Sequence, residues 1–172
     1  MEPAAAIDIA APCALWGRAC PQAEELVRQA AHLALARGLA APGVGLALAG
    51  QPIELGISLA DDRRQRRLNR AYRGRDLPTN VLAFPAWEPG SRPPPEAPLL
   101  LGDVVLAFET VAREADEQKK PLADHLRHLT VHGVLHLLGY DHGTPAEAAA
   151  MESLETAILR NLGVPDPYRD TM

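Results

Sequence analysis

A chain of 172 residues with 47% apolar and 23% charged side chains has the size and make-up of one folded domain with its own core. No apolar run approaches the roughly 20 residues that a membrane-spanning helix needs, and Met1–Ala10 carries Glu2 and Asp8 but no basic stretch of a secretory leader, so a cytoplasmic protein with no membrane partner is expected. Aromatic residues make up only 4%, which argues against a surface of stacked aromatics for single-stranded nucleic acid, and the net charge of −5 argues at first sight against any nucleic-acid partner.

In chain order, Pro21–Arg37 has apolar residues at helical spacing and stops at Gly38, which predicts a first long helix. Just before it, Cys13 and Cys20 have six residues between them, match no zinc pattern, and are expected to be reduced thiols. Val44–Ala49 and Ile53–Leu59 read as strands around a Gly50-Gln51-Pro52 turn. Asp61 is placed to cap an arginine-rich helix running to about Tyr72. The proline-bounded stretch after it predicts a short strand at Val81–Phe84, at a sheet edge. Trp87–Pro98 contains five prolines and reads as a surface loop. Leu100–Ala107 follows as a strand and Phe108–Gln118 as a helix. Pro121 opens the next helix from its first turn, where a missing N–H does no harm, and that helix ends at Gly139. Pro145–Leu162 forms the last helix, closed by Gly163 and Pro165. Strands and helices interleave irregularly and without repeats. The expected fold is therefore α+β with mixed α/β layers: a small mixed sheet packed by about five helices, in one domain spanning 1–172.

The net charge conceals an asymmetry. Between Arg63 and Arg75 stand seven arginines (63, 64, 66, 67, 70, 73 and 75) and no acid, while the remaining ten basic and 22 acidic residues leave the rest of the chain at −12. Such a local patch steers polyanions even when the whole molecule is acidic. A solvated helix face flanked by Asp61, Asp62 and Asp76 is the plainer reading of the same run.

Five of the six histidines fall between His125 and His142. His132 and His136 are four apart, so on a helix their side chains share one face about 5–6 Å apart at Cβ, within reach of one metal ion. The segment His132-Gly-Val-Leu-His136-Leu-Leu-Gly139-Tyr-Asp-His142 has H-x-x-x-H-x-x-G-x-x-H spacing, in which the glycine lets the chain turn sharply and bring a third imidazole back. Three imidazoles suit one zinc ion per chain, at the end of a helix, with a coordination position left open; a structural zinc normally takes four protein ligands. His125 and His128 extend the stripe backwards and are read as supporting groups, alternative ligands or solvent-facing residues. Asp141 is read as a group that orients an imidazole or caps the turn. Peptide-cleaving zinc sites place a glutamate directly after the first histidine. Here that position is Gly133, which turns the expectation away from peptides and toward a phosphodiester, with an arginine to balance the added charge.

These residues resemble the YbeY endoribonuclease family: His132–His142 with Val131 before it, Met151-Glu152-Ser153-Leu154-Glu155 after it, the stretch from Leu68 to Pro85, and Leu101-Gly102-Asp103. The likeness runs from about Ile53 to Tyr168. It implies a single-strand-specific, metal-dependent endoribonuclease of ribosomal RNA maturation, acting at the 3′ end of 16S rRNA and in ribosome quality control, with zinc on His132, His136 and His142. It further implies a catalytic role for these histidines and for Arg73, RNA contacts from Arg63, Arg66, Arg67, Arg70, Arg73 and Arg75, and RNA of the small ribosomal subunit as partner, with ribosomal proteins or an assembly GTPase beside it and no DNA. Two departures stand out: Ala83 replaces the serine usual in that strand, and the 87–98 loop is longer than typical. A non-catalytic rRNA-binding assembly factor with a structural zinc, and a zinc protease or amidase, are the alternatives.

Overall fold

The computed structural model describes residues 4–41, 48, 50–92 and 97–169. In chain order the elements are β1 (Ala5–Ala10), α1 (Leu15–Ala19), α2 (Ala23–Leu39), β2 (Ile53–Ala60), α3 (Asp62–Arg73), β3 (Val81–Pro85), β4 (Leu99–Ala107), α4 (Phe108–Glu117), α5 (Leu122–Leu137) and α6 (Pro145–Asn161). The four strands form one mixed sheet in the order β1-β2-β4-β3. β1 pairs parallel with β2 and β2 parallel with β4, while β3 runs antiparallel to β4 at the edge. The α+β architecture matches the expectation, with six described helices in place of about five.

Most boundaries fall where the local signals put them. The Asp61 side chain caps α3 by accepting the Arg64 N–H at 2.8 Å, and Gly74, at φ +68°, ends it in the left-handed conformation that glycine adopts without strain. Thr144 caps α6 by accepting the Glu147 N–H at 3.1 Å, with Pro145 next in line. Pro121 is the N-cap of α5 itself rather than part of its first turn, since its ψ of 142° is extended. Two elements go beyond the sequence reading. β1 is a six-residue run of alanine, isoleucine and one aspartate with weak strand propensity, held by pairing with β2 more than forty residues along the chain. α1 has five residues, buries Trp16, and ties its indole N–H to the Ala60 carbonyl at 2.9 Å. The strand expected at Val44–Ala49 lies, apart from Leu48, outside the described residues. Cys13 and Cys20 are buried free thiols.

The core forms between the sheet and the α2–α5 pair. Residues Val27, Ala30, Ala31, Ala34 and Leu35 of α2 have no exposed surface, nor do Leu126, Val131, Val134, Leu135 and Leu137 of α5. α5 lies against β3 and β4 across Gly133: a Cβ there would stand 2.7 Å from Val104 Cγ1 and 3.4 Å from Val81 Cγ2. The missing side chain therefore lets helix and sheet approach closely. Because side chains alternate along a strand, Val81 and Ala83 face α5 while Phe84 turns to the opposite side. There its ring meets Tyr72 of α3, with centroids 5.3 Å apart. The 87–98 loop is anchored at its start, where Trp87 is buried in the core.

Candidate metal centre

α5 carries His125, His128, His132 and His136 along one side, and its last turn opens the path for His142. The chain leaves the helix at Gly139, whose N–H reaches the His136 carbonyl at 3.0 Å and whose φ is +99°. A Cβ at Gly139 would also lie 2.5 Å from Pro89 Cγ, so the turn is pressed against the proline-rich loop. Tyr140 then pins the segment to α2 through its hydroxyl, 2.8 Å from the Gly38 carbonyl. The result brings the three histidines together: ring centroids are 4.5 Å apart for His132–His136, 5.2 Å for His136–His142 and 5.9 Å for His132–His142. The ligand atoms of His136, Asp141 and His142 lie within 4.8 Å of one another, and the Nε2 atoms of His132 and His136 are 3.1 Å apart. Asp141, read from the sequence as an orienting or capping group, accepts the His142 backbone N–H at 2.8 Å and also offers its carboxylate among the candidate donors.

The donor set fits a metal ion. Glu155 of α6 has no exposed side-chain surface and lies 2.5 Å from His132 Nδ1. Burial alone would push the Glu155 carboxyl up, but hydrogen bonds with His128, His132 and Tyr168 and the charge of His132 outweigh it and hold its pKa at about 2. An ionised carboxylate can only accept, so His132 Nδ1 carries a proton toward it, and Nε2 on the far side of the ring faces His136. Desolvation, followed by the nearby His132 and His142, pushes the His136 pKa down to about 4, which keeps that ring neutral and able to ligate at neutral pH. Imidazole nitrogens that face one another, with the Asp141 carboxylate among the candidate donors, suit a metal ion.

Behind the histidines lies a hydrogen-bonded layer that sequence reasoning did not single out. His128 Nε2 is 3.4 Å from Glu155 Oε2 and 3.3 Å from the Tyr168 hydroxyl, and Tyr168 donates to the same carboxylate. Burial, and then Glu155, raise the Tyr168 pKa, so the phenol keeps its proton. His125, 3% exposed, sits 2.9 Å from Glu114 Oε1, and burial lowers its pKa. Glu114 also accepts from Asn80 Nδ2 at 3.0 Å. Of the three roles open to His125 and His128, the supporting one matches these contacts. The spacing from His128 to His132 hinted at this layer, but Glu155 and Tyr168 reach it from another helix and from the segment after it.

The histidines floor a cleft of about 590 Å³ whose wall includes Arg73, Asn80, Ala83 and Pro89. Arg73 is exposed at the end of α3 and reaches the Ala83 carbonyl on the outer edge of β3 at 3.4 Å. The other arginines of the block are exposed away from this cleft. Arg66 forms an ion pair with Asp76 at 2.8 Å, while Arg63, Arg67 and Arg75 have no side-chain ion pair among the described residues. Gln65 and Asn69 form the buried face of α3, with Gln65 donating to the Val105 carbonyl at 2.9 Å and Asn69 to the Leu77 carbonyl at 2.8 Å. Helical spacing thus turns most of the arginines outward.

Comparison with known proteins matches residues 22–163 to the family model described as endoribonuclease YbeY, a wider span than the likeness read from the sequence. A protein from Paramagnetospirillum magneticum named endoribonuclease YbeY is 52% identical over 164 residues, covering 95% of this chain and 94% of the relative. A Bradyrhizobium protein of the same name is 49% identical over 169 residues, covering 98% of this chain and 94% of the relative. Among solved structures, the solution structure of TM1509 from Thermotoga maritima aligns over 96% of this chain and 100% of its own, at 20% identity and a TM-score of 0.48. With the family model spanning most of its length and relatives matched nearly end to end at about half identity, this chain belongs to the endoribonuclease YbeY family.

Proposed function

We propose that this protein, acting as one domain, is a zinc-dependent endoribonuclease that cuts unpaired RNA, with His132, His136 and His142 as metal ligands and Arg73 as the phosphate-binding residue. The single observation that carries this reading is that Arg73, from the arginine-rich helix, and the three histidines, from the last turns of α5 and the turn that follows it, line the same cleft. The relatives' names supply the reaction class. The chemistry that a zinc ion supplies when bound is Lewis-acid polarisation of a phosphoryl oxygen. Glu155 keeps the His132 ring turned so that Nε2 faces the cleft. Arg73, braced by the Ala83 carbonyl, presents its remaining guanidinium N–H groups to the scissile phosphate and balances the charge that grows there. Arg63, Arg66, Arg67, Arg70 and Arg75 hold flanking phosphates through charge rather than base reading.

A peptidase reading fits poorly because Gly133 packs on Val104 and Val81, leaving no room for the glutamate that a zinc peptidase carries there. A metal that only braces the fold fits poorly as well, since His142 keeps 58% of its side chain exposed at the cleft mouth. The expected substrate is ribosomal RNA of the small subunit near its 3′ end, in the cytoplasm, with ribosomal proteins or an assembly GTPase as further partners and no DNA. No described helix is long and apolar enough to cross a membrane.

The test is metal analysis together with mapping of RNA ends. We expect about one zinc per chain, cuts confined to unpaired RNA, and loss of both zinc and cutting in His132→Ala. If chelator-treated protein cuts as fast as loaded protein, or His132→Ala retains the rate, the reading is wrong.

A further inference from the structure

Tyr72 stands out on α3. It continues the sheet-facing stripe begun by Gln65 and Asn69, at i, i+4 and i+7, and those two residues are buried. Tyr72 is nonetheless 71% exposed. Among the described residues β3 is the edge of the sheet, so the last residue of the stripe overhangs the edge strand, where its ring meets that of Phe84, the two inclined at 61°. The phenol has no hydrogen-bond partner among the described residues, and no ionisable group pairs with it. An aromatic ring is thus held against a second ring from one side and left open to water over most of its surface. Its neighbour Arg73 bends the other way, over the outer edge of β3, to line the metal cleft. Tyr72 directly precedes Arg73 on α3, among the exposed arginines of the block, so its open ring stands one residue from a side chain that lines the cleft.

We propose that Tyr72, backed by Phe84, stacks one unpaired nucleobase of the RNA strand just outside the metal cleft. The inference rests on the endoribonuclease reading and deepens it. The low aromatic content of the chain argues against an extended stacking platform, but a single ring beside a phosphate-binding arginine is enough to hold one base. The charge around the ring suits a polyanion, and the open ring surface suits a flat π-system that a duplex would keep inside its stack. Here Arg73 grips the backbone and Tyr72 the base beside it, which favours strands whose bases are free.

The test compares the zinc-loaded wild type with Tyr72→Ala and Tyr72→Phe on a short unpaired RNA. KM and kcat are read from initial rates, and binding from fluorescence anisotropy of the same oligonucleotide. We expect Tyr72→Ala to weaken binding and raise KM on the order of tenfold, with kcat within about twofold and an unchanged melting temperature. Tyr72→Phe should behave as wild type, because stacking needs the ring and not the hydroxyl. Scanning one abasic residue along the oligonucleotide should reveal a single position, close to the cut, that weakens wild-type binding but adds nothing to Tyr72→Ala. Equal affinity and KM in Tyr72→Ala and wild type, a Tyr72→Phe loss as large as that of Tyr72→Ala, or an abasic scan without such a position would each overturn the stacking site. Wild type that cuts RNA while Tyr72→Ala matches it overturns the stacking site alone. Wild type that binds without cutting overturns the nuclease reading, and the anisotropy arms still decide on Tyr72; wild type that neither binds nor cuts overturns both.

Discussion

Glu155 holds His132 from behind: its carboxylate, with no exposed surface, stands 2.5 Å from His132 Nδ1, across the ring from the Nε2 that faces His136. This places the tautomer and rotation of one candidate ligand under the control of a helix that contributes nothing to the cleft wall. Groups in that position typically change metal affinity 10- to 100-fold when altered. Glu155→Gln retains an acceptor but not the charge, so zinc affinity should fall by roughly tenfold or more, measured by competition with a chromophoric chelator. Tyr168→Phe removes one donor to the same carboxylate and should give a smaller loss. Unchanged affinity in both variants would mean that the network is only structural.

The buried histidine on the same helix sets a pH dependence. Burial lowers the His125 pKa below its ordinary 6.5, so the folded chain favours the neutral ring. The stabilisation is fully present above about pH 6.5 and is lost as pH falls through the lowered folded value, because the unfolded chain binds the proton more readily there. Two other groups act in the same direction: His136, lowered from 6.5 to about 4, below about pH 6.5, and Glu155, lowered from 4.5 to about 2, below about pH 4.5. Chelator-treated protein should therefore melt at progressively lower temperature from pH 7 to pH 4. His125→Leu should flatten the part of that slope nearest pH 6. A slope identical to wild type would assign the loss to other groups.

Gly133→Ala tests the packing of α5 on the sheet. Helix propensity favours the change by about 1 kcal/mol, while overpacking a filled interface costs about 1–3 kcal/mol. With Val104 Cγ1 at 2.7 Å and Cγ2 at 3.1 Å from the new Cβ, overpacking should prevail, for a net loss of up to about 2 kcal/mol in denaturant unfolding. Stability equal to wild type would show that helix and sheet separate easily at this point.

Arg73 and Arg63 separate chemistry from general attraction. Arg73→Ala should keep its zinc and lose on the order of 10²-fold in rate, as for one donor to a developing charge. Arg63→Ala, on the outward face of α3, should weaken binding of all RNAs alike and lower the steepness of the salt dependence by about 0.7, the contribution of one phosphate on a single strand. Equal rate losses in the two variants would remove the distinction between them.

What the sequence determined by itself is local. The spacing of His132, His136, Gly139 and His142 specifies a helix end and a turn within eleven residues, and the structure places all four residues along one cleft. Asp61, Gly74 and Pro145 mark helix ends for equally local reasons: a side-chain acceptor, a positive φ and a preset φ act within one turn. Only tertiary structure could decide what lies far apart in the chain. β1 is a strand because β2 offers its edge. Glu155 reaches His132 across 23 residues, and Tyr168 reaches His128 across 40. Gly133, absent a glutamate by sequence, proves also to be a packing contact, since its neighbours Val104 and Val81 come from other strands. Arg73 parts from its fellow arginines because β3 ends the sheet beneath it, and for the same reason Tyr72 is left in water. Spacing along one helix is set by its own 3.6-residue turn, but the partner of a side chain across the fold is set by how elements pack, which no short stretch of sequence encodes.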